Sequence, residues 1–496
     1  MTVEIQSEPV TPDEAEQRKQ ESIERRLEID RAARWPVGIF IGSSLVWLLF
    51  GSLLAIAASI KMHDPEFLAD NPWLTFGRVR PAHLNTVAYG WLSTAGIGIG
   101  LWILSRLCQV PIREQQSLTL AAVLWNLGNA VGTWGILRGD STAVEWLEYP
   151  TYAAPFLLIS FTFVMLAAFR MIRNRPPGHI YISQWYIMAG FVWLPALYFT
   201  AHGLLVLAPV QAPAQPPINW WYAHNVLGLW FTPIGLAAIY YLIPKIIGKP
   251  IHSYYLSIIG FWSLAFFYAW NGMHHLIGGP YPAWLITVSV VASIMMFIPV
   301  ITVAINHHMT MVGNFRALRY SPTLRFVVFG AMSYTLVSFQ GSITAIREVN
   351  YVTHFTHYTI AHSHLGAYAF ASMVYFGAIY YIMPRLLERE WPSRWLIRFH
   401  FWPSAIGISI YFFILSWGGI VQGMAMNLSD TPFMEIVAAT IPYLKWRTIG
   451  GTLMTIGHLS IFISFFWMVF DRRYRGAEPT LFSTKTPETP APLPYP

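Results

Sequence analysis

Apolar residues run along this chain in long blocks separated by Pro, Gly and charged residues, and these blocks set its architecture. Twelve of them match the roughly 20 residues a helix needs to cross a bilayer. They cover 36–60, 83–107, 117–137, 150–172, 181–209, 219–244, 254–277, 283–309, 323–348, 355–384, 399–424 and 446–470. The predicted fold is all-α, a polytopic membrane protein of twelve transmembrane helices. The ends differ from the middle. Residues 1–35 are highly charged and lack an apolar core, which predicts a cytoplasmic, partly helical arm rather than a cleavable signal peptide. Residues 36–471 form the helical domain. Residues 472–496 form a tail whose Pro- and Thr-rich stretch from Gly476 lacks periodicity and reads as disordered.

Composition agrees with a membrane setting. Only 11% of residues are charged and 55% are apolar, where soluble proteins carry about a quarter charged. The net charge of +7 raises nucleic acid as a partner, but the basic residues stand singly between apolar blocks, the pattern of membrane loops. Nucleic acid is excluded and lipid is the expected surroundings. The single Cys108 rules out an intrachain disulfide, a multi-thiolate zinc site, a two-cysteine copper centre and a CxxCH heme attachment. Any electron donor must bring its own cofactor.

Charge also orients the chain. Loops after even-numbered spans hold Arg106, Arg113, Arg170, Arg173, Arg175, Lys245, Lys249, Arg316, Arg319, Arg385, Arg389 and Arg394. Loops after spans five, seven, nine and eleven hold none except at their edges, and the first outer loop is the exception, with Lys61, Arg78 and Arg80. Positive residues stay on the cytoplasmic side during insertion, so both termini are expected there, in a bacterial inner membrane.

This orientation, set without reference to histidine, brings six histidines to one depth in the outer third: His83, His224, His274, His275, His362 and His364. A ring inside a span is costly unless paired or bound to metal. His362 and His364 lie about 200° apart around their helix, so one helix can ligate two flat macrocycles on opposite sides. His83 supplies a second axial ligand for one heme, and the other keeps an open face for a gas. Opposite that face, His224, His274 and His275 suit copper or iron. Adjacent histidines on a regular helix point about 100° apart, so local unwinding is needed, and Gly272, Gly278, Gly279 and Pro280 permit it. The remaining histidines have simpler readings. His202 and His458 are expected to be hydrogen-bonded packing residues, while His63, His179, His252, His307, His308 and His400 sit at span ends or in a loop and are expected to be solvated. His354 and His357, at the outer mouth, can reach heme propionates.

Tyr268 precedes His275 by seven residues, nearly the same helical face about two turns deeper. Ser257, Tyr254, Tyr241, Tyr334 and Ser338 extend a hydroxyl trail towards the cytoplasm that can carry protons. Many of the 25 tyrosines are simply interfacial anchors.

These residues resemble a known family, the heme–copper oxidase superfamily, and within it the catalytic subunit of C-type, or cbb-type, cytochrome c oxidases. The resemblance spans all twelve helices. It rests on the Arg80-Pro81-Ala82-His83 run, NWWYAHNVLG around His224, YYLIPK from Tyr240, SYYLSIIGFWSLAFFYAWNGMHHL through His275, and YTIAHSHLG around His362 and His364. It implies that His83 and His364 ligate a low-spin heme, His362 a high-spin heme and His224, His274 and His275 a copper ion. The expected cofactors are two b-type hemes and one copper, with calcium as a further candidate. The tyrosine that other branches carry one turn after the first copper histidine is replaced by Gly228, and Tyr268 stands where the C-type pattern has it.

The expected activity is reduction of O2 to water, with electrons from cytochrome c-type heme subunits at the outer face and protons from the cytoplasm. Two alternatives stand beside it: a nitric oxide reductase with non-heme iron, and a multipass transporter without heme. In span nine, Gln340 replaces the family's glutamate, and His357 replaces an aspartate; Arg80, Gln340, His354 and His357 are therefore candidates for contacts around the cofactors.

Overall fold

The computed structural model describes residues 12–471, which contain helices and connecting turns and no strand. Twelve helical segments account for the predicted spans: α1 Pro12–Lys61, α2 Phe76–Cys108, α3 Gln115–Arg138, α4 Thr151–Arg173, α5 Ile182–Leu207, α6 Ala212–Ile247, α7 Tyr254–Tyr268, α8 Ala283–Met311, α9 Pro322–Thr344, α10 His357–Leu387, α11 Arg394–Met426 and α12 Phe433–Phe470. Eleven of these are long and apolar enough to cross a membrane. The exception is α7, whose 15 residues reach about 22 Å at 1.5 Å per residue, short of a hydrocarbon core of about 30 Å.

Three differences from the expected spans have local causes. The charged arm and the first span are one continuous helix, because its inner part is packed rather than solvated. Asp30, 6% exposed, accepts from the Trp102 indole at 2.9 Å and from Arg106 at 2.8 Å, and Arg34 donates to the Leu386 carbonyl at 2.7 Å. The seventh span leaves the helix at Tyr268 instead of running on to 277, so Tyr268 and His275 do not share a helical face. The twelfth begins at Phe433 rather than near 446, with Pro442 inside the helix and Arg447 bonded to Tyr411 on α11 (2.9 Å). Residues 1–11 and the tail 472–496 lie outside the described residues.

The helices are not equivalent. In α2, α6 and α10 the apolar window is 94%, 89% and 83% buried within the chain, against 39–56% for the other membrane-length helices. Those others form a shell that turns one face to lipid, while α2, α6 and α10 sit inside it. The inner three carry His83, His224, His362 and His364. Within the shell, Gly407 on α11 and Gly450 on α12 meet backbone to backbone: a methyl on either would press the other's carbonyl oxygen, at 2.6 and 2.7 Å. Small residues allow such close approach between membrane helices.

Candidate metal centre

Among the described residues, four π-helical segments interrupt the helices, and each follows a histidine within three residues. They are Thr86–Ser93 after His83, Gly203–Leu207 after His202, Leu227–Phe231 after His224 and Leu365–Ser372 after His364. A π segment inserts a residue into the helical register, re-aims side chains, and concentrates at functional sites.

His274 and His275 come from a different device. After α7 ends, Gly272 takes φ +105°, and the chain turns through a short 3-10 segment, Met273–Leu276. A Cβ on Gly272 would lie 2.5 Å from the Trp220 carbonyl oxygen and 3.2 Å from His224 Cβ. Glycine is therefore needed both for its backbone angle and for contact with α6. The turn brings ligand nitrogens of His224, His274 and His275 within 4.8 Å of one another, with ring centroids 4.4–5.5 Å apart.

The second nitrogens are held selectively. Ser293 donates to the Ser289 carbonyl (2.8 Å), so its oxygen accepts from His274 Nδ1 at 3.0 Å, leaving Nε2 to face the cluster. His275 stacks on Trp220 at 4.1 Å, and the His354 ring lies near the His275 backbone. His224 Nδ1 is buried with no partner. Buried polar atoms are rarely left so, and three converging imidazoles, one with an orphaned nitrogen, fit a copper or iron ion.

Tyr268 lies against the cluster, its ring 4.7 Å from that of His224. Gly228 makes this possible: a Cβ there would fall inside the Tyr268 ring. His362 faces the same cavity. Its walls include His224, Tyr268, His274, His362, Tyr334 and Ser338. His362 Nδ1 donates to Gln340 Oε1 at 3.1 Å.

A second pair forms beside it. His83 and His364 are close enough to interact electrostatically. His83 Nδ1 donates to the Gly51 carbonyl (3.0 Å) and His364 Nδ1 to the Ile360 carbonyl (2.9 Å). A carbonyl only accepts, so in both rings Nε2 is the acceptor, the form an iron ligand takes. His364 Nε2 is met by the Tyr411 hydroxyl at 3.3 Å, a contact that metal ligation would replace.

The model of the cytochrome c and quinol oxidase polypeptide I family matches residues 36–453. The chain belongs to this family, the heme–copper oxidases. It is 31% identical over 442 residues to a cytochrome c oxidase subunit 1 homolog of Azorhizobium caulinodans, covering 86% of this chain and 80% of that one. It is likewise 31% identical over 436 residues to the cbb3-type cytochrome c oxidase subunit CcoN1 of Stutzerimonas stutzeri, with 84% and 90% covered. A nitric oxide reductase chain of the same organism is 24% identical over 486 residues, with 89% and 93% covered. A heme–copper terminal oxidase dimer solved by electron cryo-microscopy has the same fold, at TM-score 0.67 and 16% identity over 95% of this chain and 88% of that one. Membership sets aside the transporter reading, and the family carries hemes and copper.

In this heme–copper oxidase chain the hydroxyl trail divides. Ser257 accepts from Asn306 Nδ2 at 2.7 Å, and the same amide reaches the Tyr240 hydroxyl at 3.4 Å. Tyr334 and Ser338 line the cavity itself. Tyr241, next to Tyr240 but on another side of α6, packs on Trp102 and Tyr381, and Tyr254 ends on the Ile180 carbonyl (2.7 Å). Sequence reasoning missed Tyr240 and Asn306, whose only signal is their spacing relative to Ser257 across three helices.

Two histidines expected to be solvated are buried: His307, against the Tyr240 ring with neither nitrogen partnered, and His400, 0% exposed. At the opposite end from the basic loops, Arg80 pairs with Glu145 at 3.0 Å. Glu148 accepts from Asn85 at 2.7 Å, and burial pushes its carboxyl up to about 7. The His357 backbone N–H donates to Gln422 (2.9 Å).

Proposed function

We propose that this chain is the catalytic subunit of a terminal respiratory oxidase of cbb3 type, reducing O2 to water. In this reading residues 36–471 are the catalytic domain, and residues 1–35 and 472–496 lie at the cytoplasmic face of a bacterial inner membrane, following the basic loops. His83 and His364 hold a low-spin b-type heme, His362 a high-spin one, and His224, His274 and His275 a copper ion. When bound, the high-spin heme and copper supply electrons and the two coordination sites between which O2 is reduced.

The chain's own residues supply protons, orientation and exclusion of water. The Tyr268 ring lies 4.7 Å from that of His224, and its hydroxyl serves as the proton donor to the site. Tyr334 and Ser338 line the route by which it is reprotonated, with Ser257, Asn306 and Tyr240 nearer the cytoplasm. Phe231, Leu264 and Phe370 give part of the wall an apolar lining. Electrons enter from a cytochrome c-type heme subunit at the outer face.

The observation that carries the choice of O2 over nitric oxide is the exclusion between Gly228 and Tyr268. With Tyr268 seated, no side chain fits one turn after His224, where a reductase carries the glutamate its iron needs as a hard oxygen ligand. The test is one purified sample measured three ways: an absorption spectrum, a metal count and gas uptake. About one copper per two hemes, with O2 uptake, is expected. Iron in place of copper, with nitric oxide uptake, would overturn the reading. Tyr268→Phe should abolish turnover with both heme spectra intact.

A further inference from the structure

A second line of buried polar groups lies on the far side of α10 from the copper cluster. His458 on α12 has both nitrogens bonded, Nδ1 to Ser52 of α1 at 2.8 Å and Nε2 to the Tyr368 hydroxyl of α10 at 2.8 Å. The directions follow from the end of the line. Ser52 sits 2.7 Å from the Leu48 carbonyl, which only accepts, so Ser52 donates there and accepts from His458 Nδ1–H. Nε2 is then the acceptor, and Tyr368 donates to it.

The line extends towards the basic end. Tyr368 faces Ser404 on α11, and His400, one turn earlier on the same face of α11, bonds through Nδ1 to the Tyr380 hydroxyl at 2.9 Å. From Tyr368 to Tyr380 the line covers twelve residues of α10, about 18 Å. At its mouth the Trp391 ring packs on Tyr380 at 4.8 Å. The neighbouring Glu390, in the loop, has a buried oxygen without a partner, and burial pushes that carboxyl up to about 7.

The line is not a closed packing motif. His400 Nε2 and Ser404 Oγ are both buried without a hydrogen-bond partner, although they sit one turn apart. Gly457, next to His458, packs directly on this place: a Cβ on it would meet Ser404 Oγ and would lie 3.3 Å from His400 Cδ2. The line's outer end lies next to the pair His83 and His364. Gly51, whose carbonyl takes the His83 Nδ1 proton, precedes Ser52, and Tyr368 lies one helical turn after His364. His458 thus bridges α10, which carries His364, and α1, whose Gly51 carbonyl holds the His83 ring. Ionisable groups strung through a membrane domain mark proton relays.

We infer that His400, Ser404, Tyr368 and His458 form a second proton route, separate from the trail to Tyr268, with His458 as the site where a proton rests. The inference uses the oxidase reading for the role of His83 and His364. An electron arriving between those histidines adds one negative charge. Tyr368 passes its hydroxyl proton to His458 Nε2 and is reprotonated from the His400 side, so one proton from the basic end balances one electron. When the electron leaves, His458 releases its Nδ1 proton towards the outer end, where Ser59 of α1 meets Thr448 of α12 at 2.8 Å and Thr448 meets His63 at 3.0 Å, and the proton received at Nε2 leaves the ring neutral. No bond other than O–H and N–H changes.

The experiment uses the complete oxidase complex in sealed vesicles, following O2 uptake and proton release to the outer side. His458→Gln keeps both hydrogen bonds but cannot hold a proton; His458→Phe and His400→Phe break the line. All three are expected to keep the heme spectra and about half or more of the uptake rate, while protons released per electron fall at least twofold. If Phe at 458 prevents assembly, the Gln variant decides. Unchanged release in the variants, or no net release by the unaltered complex, overturns the inference. Absence of hemes or of O2 uptake in the unaltered complex would instead overturn the proposed function.

Discussion

Gln340 Oε1 accepts the Nδ1 proton of His362 at 3.1 Å, and the amide is itself 9% exposed. A carboxylate at this position would draw that proton towards itself and make Nε2 a stronger donor to iron; an amide cannot. The glutamate that the resemblance to C-type oxidases leads one to expect here and this chain's glutamine therefore differ in how electron-rich they leave the ligand.

Gln340→Glu is expected to lower the midpoint potential of the heme proposed to sit on His362. A partner of this kind changes affinity about 10–100-fold, and about 59 mV corresponds to each tenfold change for one electron, so the shift should be roughly 60–120 mV. A redox titration followed at the high-spin band reads it. An unchanged or raised potential would show that the 3.1 Å contact does not govern the ligand.

Gly228→Ala places a methyl inside the Tyr268 ring and must push that ring away from His224. Turnover should fall by about 10²-fold or more, the usual worth of a positioned proton donor, with heme absorption retained. Tyr268→Phe keeps the ring and removes only the hydroxyl. Equal losses in the two variants would mean that placement of the hydroxyl is what Gly228 protects; near-normal turnover in Gly228→Ala would refute the steric argument.

Ser293→Ala removes the nearer acceptor of His274 Nδ1–H and leaves Ser289 at 3.4 Å. Copper affinity should drop by about 10–100-fold, measured as copper retained after dialysis against a graded chelator, while both heme spectra stay as they were. Loss of heme along with copper would indicate a general defect instead.

Glu148 lies in a loop at the end opposite the basic loops, 5% exposed, with its carboxyl held up near 7 by burial. A carboxyl raised on folding favours the folded state at low pH, and that contribution is lost as pH rises from about 4.5 through about 7. Glu148→Gln removes the charge and with it this dependence. Thermal melting of the variant and the unaltered protein should therefore differ little at pH 5 and diverge by pH 8, with the variant more stable there by up to about 3 kcal/mol. Convergence at high pH would contradict the assignment.

Much of this protein is legible along the chain. Length and polarity of the apolar blocks are enough for eleven of the helices, because a segment in lipid must satisfy its own backbone and has one regular way to do so. The positions of six histidines along their spans followed from counting.

What counting could not supply was direction. Residues 254–277 read as one span, yet the helix stops at Tyr268, because Gly272 turns the backbone and the 3-10 segment is held against α6. Tyr240 and Tyr241 are equivalent in sequence, but about 100° of helix sends one to Asn306 and Ser257 and the other to Trp102. His400 and His307 stand near span ends, where position alone predicts water; neighbouring helices bury both. Which segments are long and apolar enough to span a membrane, and where along its helix each histidine stands, can be read from the order of residues, since both depend on one helix at a time. Which rings converge, and which polar atoms are left without partners, cannot, because that depends on the rotation of every helix against its neighbours, and packing sets those rotations together.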